Sequence, residues 1–374
     1  MSNEHADARG PDTAPSLWAL VPLADYQLPP TPAASAARAR WTSLRRLFGQ
    51  HNDDAQAPAR AEADLRGLPG QRLDALAGPL DWLPAAEALQ QTLTEDGAAE
   101  AVRFVVGPPR GGHADLLRCW AAGQGAHGID PPVQNDILTL GASWLDRWPS
   151  DVRSWVLPRL EHWWLRHAAG LALVRELLEQ ALTGRLGRGV IGCDSWAWAY
   201  LRHVAAVPTR SALTLQAFDG ERLARLFRSL VVGDAVRPVC FRNAQTGRLV
   251  LAVDGGDEAP GGSELQYLAA RCRGNAGLAR ALWRARLYAE PDTDDDGARQ
   301  ESAPSGDGCD GTAIWVAEPH EDPSLPADRD EEVALVLHAL LLHNGLVLSL
   351  LIELLPLPPF RVQTLVRRLA AARA

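Results

Sequence analysis

Hydrophobic positions are sparse and irregular over the first eighty residues and become periodic afterwards. Residues 1–15 carry no apolar run and predict disorder. A short apolar stretch follows at 16–23, then a Pro/Ala segment and the stretch 40–48, and 50–62 is again polar and linker-like. We read 1–95 as an N-terminal extension of short elements anchored by Trp18, Trp41, Phe48 and Trp82. Its one clear helix is 81–95, with apolar residues at helical spacing and Pro84 in the first turn, where the missing N–H costs nothing. From residue 101 the pattern changes. The β-branched run 102–106 predicts a buried strand, followed by a glycine-rich turn and a helical run at 115–122. Further strands are expected at 154–157, 189–192 and 213–215, with helices at 165–182 and 195–204 between or after them. Strands alternating with helices predict βαβ units: an α/β fold over 100–215, with a parallel sheet sandwiched by helices.

Beyond Asp219 the spacing turns mainly helical. Asp219 is an N-cap candidate for a helix with Leu223, Leu226 and Phe227 on one face. A hairpin is expected over 241–253 around Gln245-Thr246-Gly247, and 264–287 predicts one or two helices broken near Gly274-Asn275. Together 216–289 reads as a helical lid with a hairpin. The acidic stretch 290–311, with Asp292 and Asp294 to Asp296, cannot bury a core and predicts a linker. The remainder, 312–374, predicts a short strand at 313–316 and three helices at 331–343, 346–355 and 360–373. Although 333–355 is long enough to span a bilayer, His338, His343, Glu353 and the Asn344-Gly345 turn argue against an integral membrane span.

Composition narrows the chemistry. All 37 basic residues are arginine, so Schiff-base chemistry, a lysine general base and a phosphate-loop lysine are excluded. The net charge of −9 argues against the whole chain being a nonspecific nucleic-acid binder. Cys119, Cys193, Cys240, Cys272 and Cys309 form no CxxC pair, which predicts reduced thiols and a cytoplasmic setting. The polar N-terminus has no secretory h-region.

The turn after the first strand falls in the eight-residue phosphate-loop frame: Gly107, Pro108, Pro109, Arg110, Gly111, Gly112, His113, Ala114. Glycines stand at both required places. His113 occupies the lysine position and Ala114 the hydroxyl position, so the two groups that normally meet the outer phosphates and Mg²⁺ are replaced. Backbone amides of the turn and the following helix N-terminus can still face an anion. As plainer readings, Asp194 and Ser195 cap the next helix, and Arg280 lies on a solvated face.

The order of pieces resembles an AAA+ or STAND P-loop ATPase of the origin-recognition or TniB-like type over roughly 100–290. The resemblance implies that 155–161 is the acidic strand, where Pro158 and Arg159 replace the usual Asp-Glu and only Glu161 is acidic. It implies that 189–194 is the sensor strand, with Asp194 near the γ-phosphate; alternatively Asp194 is itself the magnesium residue. It places Arg280 in the lid helix that reaches the nucleotide, and likens the last three helices to a winged-helix domain. The expected function is a degenerate nucleotide-binding module, a regulatory or scaffolding protein binding ATP or ADP with little or no hydrolysis and without the hydroxyl ligand for Mg²⁺. The alternatives are an active ATPase in which Arg110, Glu161 and Asp194 rearrange the site, and a DNA-binding adaptor using Arg361, Arg367 and Arg368. A protein partner is expected for the C-terminal helices.

Overall fold

The computed structural model describes residues 16–30, 59–95, 100–232 other than 206, 209 and 211, 238–253, 263–290, 312–319 and 330–371. In chain order the strands begin with β1 (Leu20–Pro22), β2 (Arg66–Gly67), β3 (Val102–Gly107), β4 (His127–Gly128), β5 (Ser154–Leu157) and β6 (Arg188–Asp194). They continue with β7 (Ala212–Leu215), β8 (Val239–Asn243), β9 (Leu249–Val253), β10 (Leu287–Ala289) and β11 (Thr312–Val316). The helices are α1 (Gly70–Leu76), α2 (Leu83–Glu95), α3 (His113–Gln124), α4 (Gln134–Thr139), α5 (Ala172–Leu182) and α6 (Ser195–Val204). Then come α7 (Gly220–Leu230), α8 (Ser263–Arg271), α9 (Ala276–Ala285), α10 (Glu331–Leu342), α11 (Leu348–Leu354) and α12 (Pro359–Ala371).

The first sheet has the order β1-β7-β3-β6-β5-β4, parallel throughout except for the antiparallel edge strand β1. Alternation sorts its residues onto two faces. Val105, Val156, Val190 and Leu213 join α2 and α3 in one core, whereas Phe104, Val106, Trp155, Leu157 and Ile191 join α5 and α6 in another. The fold is therefore α/β, with the mostly parallel sheet covered on both sides, which is why its strands read as continuous apolar runs. The chain leaves β3 along the α3 face toward β4 and later crosses from β6 to β7 along the α6 face. The two connections diverge around β3, and that arrangement opens a crevice at the carboxyl end of such a strand.

Several expectations are corrected. Helices predominate beyond Asp219 as expected, but the hairpin does not stand alone: β2-β10-β11-β8-β9 form a second, mixed five-stranded sheet. Its hairpin follows from Asn243, whose side-chain oxygen accepts from the N–H groups of Gln245 and Thr246, both at 3.0 Å. The strand expected beside the C-terminal helices, β11, instead pairs in parallel with β8 and antiparallel with β10, because its Ile314 and Val316 complete the apolar face of that sheet. The N-terminal extension is threaded into both sheets through β1 and β2, and Trp18 is buried in the first core. The helix expected from 165 begins as a 3-10 turn at Ala169–Leu171 and becomes α-helical only at Ala172. Cys240 is disulfide-bonded, contrary to the reduced thiols expected, whereas Cys119 and Cys193 are free thiols. Residues 1–15, Trp41, Phe48, Cys309 and the acidic stretch 291–311 lie outside the described residues.

The last three helices pack around Val333, Val336, Leu351, Val362 and Leu365 as a small core of their own. Leu342 and Leu350 extend into the core under α5 and α6. Among the described residues no helix is long and apolar enough to cross a membrane.

Candidate functional site

The crevice at the end of β3 is built by the turn that the sequence singles out. Gly111 N–H donates to the Pro108 carbonyl at 2.9 Å, closing a tight turn. Arg110 and Gly112 take left-handed backbone angles, φ 60 and φ 81. Glycine is required at 112 twice over, since any side chain there would also overlap the Trp82 indole. Trp82 stands 5.1 Å from Trp18, which in turn meets Phe218 edge-on at the same distance, so the outer wall of the turn is aromatic.

His113 folds back beneath the turn. A Cβ added to Gly107 would lie 2.6 Å from its Nδ1, so the imidazole occupies the space directly over that glycine. The ring is buried, neither nitrogen has a partner among the described residues, and burial assisted by Arg159 lowers its pKa to about 4. His113 is therefore neutral at physiological pH. Ala114 is buried in the first turn of α3.

The α8–α9 corner closes the crevice from the other side. Asn275 Nδ2 donates to the Pro109 carbonyl at 2.9 Å while its Oδ1 caps α9 by accepting from Leu278 N–H at 3.0 Å. Gly277 lies so close to the Arg110 carbonyl that a side chain would overlap it. What remains, between Gly107, Gly111, His113, Thr214 and Asn275, is a cavity of about 20 Å³, room for a water or two.

Behind the turn, Asp194 ends β6 in register with Gly107, and Glu161 sits on the 3-10 turn Leu160–His162 after β5. Asp194 N–H donates to Glu161 Oε2 at 3.1 Å, and both side chains are buried. Burial, then the neighbouring Glu161 charge, raises Asp194 to about 7; burial raises Glu161 as well, and pushes the Cys193 thiol up. Asp194 therefore holds a proton up to about 7 while it sits beside the buried Glu161 carboxyl. Arg159 opposes the rise of both.

The structure thus gathers Gly107 to Ala114 with Asp194 and Glu161 at one end of the first sheet, but it separates Arg280 from them. The Arg280 guanidinium donates to the carbonyls of Gly78 and Ala77 at the end of α1, because that helix terminus offers unpaired acceptors to a nearby cation. Arg361 is held by Glu332 and Asp330, while Arg367 and Arg368 are exposed on α12. No protein-family model matches the chain, and no curated protein matches it. Among the described residues no three His, Cys, Asp or Glu side chains converge as a metal centre.

Sequence reasoning missed three contributors: Trp82 over Gly112, Asn275 on the loop, and Arg159 among the buried groups. The Gly274-Asn275 break was visible as a helix boundary, but nothing local in the sequence says which distant backbone it meets.

Proposed function

We propose that the chain is a non-hydrolysing member of the AAA+/STAND kind, a P-loop-derived module kept as a regulatory or scaffolding protein. One observation carries this reading: the position where a phosphate loop needs an open cradle and a lysine is filled by the neutral ring of His113 and tied shut by Asn275. ATP or ADP reaches the turn only if the α8–α9 corner lifts, and then meets backbone amides and Arg110 with no lysine in the chain. Exposed Leu341, Val347, Leu348 and Phe360 on the C-terminal helices support a protein partner there. Arg361 is already engaged by Glu332 and Asp330, which weakens the nucleic-acid reading.

A second reading, an ATPase with a rearranged site, draws on the Glu161–Asp194 pair behind the turn. Calorimetric titration with ATP and ADP, with and without Mg²⁺, alongside a phosphate-release assay, separates the two. The expected result is no Mg²⁺-dependent turnover. Turnover that disappears in both Glu161→Gln and Asp194→Asn would overturn the proposal in favour of the enzyme.

A further inference from the structure

The C-terminal helices meet the α/β core at a seam built around Arg166. Its backbone N–H lies 3.3 Å from His343 Nε2, and its Nη1 lies 2.9 Å from His338 Nδ1. Arginine has no acceptor, so in both contacts the histidine nitrogen must be the unprotonated acceptor. His343 is buried at the end of α10, 4.5 Å from the Trp164 ring, which stacks on Tyr200 of α6 at 4.9 Å. A third histidine, His162, stands on the core side of the seam and bears electrostatically on His343. A fourth, His167, accepts from Ala169 N–H at 3.3 Å in the same loop.

We propose that this seam is an acid-released joint: protonation of His343 and His338 turns both acceptors on Arg166 into donors and unseats the C-terminal three-helix unit from the core. Among the described residues no carboxylate bears on these rings to soften that event. The charged and titratable groups facing the rings are Arg166, His162 and His338 themselves, with Arg159 and Arg118 beside His162. Glu161 turns its carboxylate toward Asp194 N–H rather than toward the seam, and meets His343 only through its backbone. From α6 the titratable neighbour is the Tyr200 ring, and the helix begins at the buried Asp194. Among the described residues none of the three rings has an ion-pair partner. Each added proton therefore lands next to positive charge, and charge repulsion adds to the lost hydrogen bonds.

The direction follows from linkage. A docked His343 resists protonation down to about 4, whereas an undocked, solvated ring takes up a proton near 6.5. Docking is complete above that value and weakens as pH falls between the two. From His343 alone the docking constant drops on the order of 20-fold between pH 7 and pH 5. Leu342 and Leu350 remain as apolar contacts to be broken, so the helices detach as a unit rather than fray.

Hydrogen exchange of the full chain, corrected for the intrinsic pH dependence of amide exchange, tests this between pH 7.5 and 4.5. Peptides from 331–371 are expected to lose at least tenfold protection while β3 and β6 keep theirs. His343→Gln keeps a neutral acceptor and should move the loss to lower pH. His162→Gln/His338→Gln, at less buried positions, should shift the midpoint the same way and serves if the first variant folds poorly. Loss of protection in core and C-terminal helices together, or an unchanged midpoint in these variants, would overturn the proposal.

Discussion

His113 and Asp194 sit on either side of the same turn and are perturbed in opposite senses, which gives the pH dependence of stability a readable shape. His113 falls from 6.5 to about 4 on folding, so the unfolded chain takes up its proton first. Its contribution is present above 6.5 and is lost as pH drops toward 4. Asp194 rises from 3.8 to about 7. The folded state keeps a proton that the unfolded chain has released, so stability falls as pH rises through that window and the cost is complete above 7. Asp194→Asn removes the ionisation while keeping the shape. We expect it to raise the melting temperature at pH 8 and to leave it nearly unchanged at pH 4. An equal loss at both pH values in thermal melts would mean that the carboxylate is needed for its hydrogen bonds rather than merely tolerated. Glycine gives a second residue-scale contrast. Gly112→Ala meets both a positive φ and the Trp82 ring and should cost about 1–3 kcal/mol, whereas Gly123→Ala, exposed inside α3 with open space around it, should add about 0.5–1 kcal/mol. Chemical denaturation of the pair reads both signs.

Single elements were legible wherever local physics decides them. Asp219 does cap α7, accepting from Arg222 N–H at 2.8 Å, and the runs at 154–157 and 195–204 are β5 and α6 to the residue. The dipeptide strands β2 and β4 have too few residues to show alternation. The helix expected from 165 fails because the chain doubles back there: Leu165 N–H donates to the Gly170 carbonyl at 3.2 Å, and a Cβ on Gly170 would come within 2.7 Å of the Leu165 oxygen. Consecutive burial of Trp163, Trp164 and Leu165 also suits no single helix face. The α8–α9 corner is the element on which access to the candidate site turns. Asn275→Ala removes both the α9 cap, worth about 1 kcal/mol, and the tie to Pro109. Gly277→Val wedges the corner off the Arg110 carbonyl. Both variants should speed hydrogen exchange in peptides covering 108–113 more than in β3. Unchanged exchange there would show that the turn holds its shape without the corner.

At the scale of the whole molecule, the contacts that matter most are those with no local signature. The second sheet recruits β2 from between β1 and β3 of the first sheet, and its parallel pair β8–β11 spans the acidic stretch; periodicity within a window cannot report pairing at that separation. One core runs through both sheets, from Val105 and Leu116 to Phe227, Phe241 and Ile314, with Trp283 stacked 4.8 Å from Phe227. The predicted boundary between lid and α/β core is thus a continuous apolar interior, and unfolding should be cooperative across it. Arg286 offers the test. It is buried where β10 begins, its Nε donates to the Ala317 carbonyl at 2.7 Å beyond β11, and its Nη2 lies 3.7 Å from Glu264 on α8. Burial lowers its pKa and Glu264 opposes that shift, so the guanidinium is held charged by its partner in a dry site. Arg286→Met leaves the Ala317 carbonyl unpaired and Glu264 without its cation, for a loss of about 2–4 kcal/mol. If the two sheets share one cooperative core, the variant moves a single denaturation transition to lower denaturant, with tryptophan fluorescence and far-ultraviolet circular dichroism changing together. Two transitions, with only the first displaced, would instead make the second sheet an independent lid able to open while the α/β core stays folded.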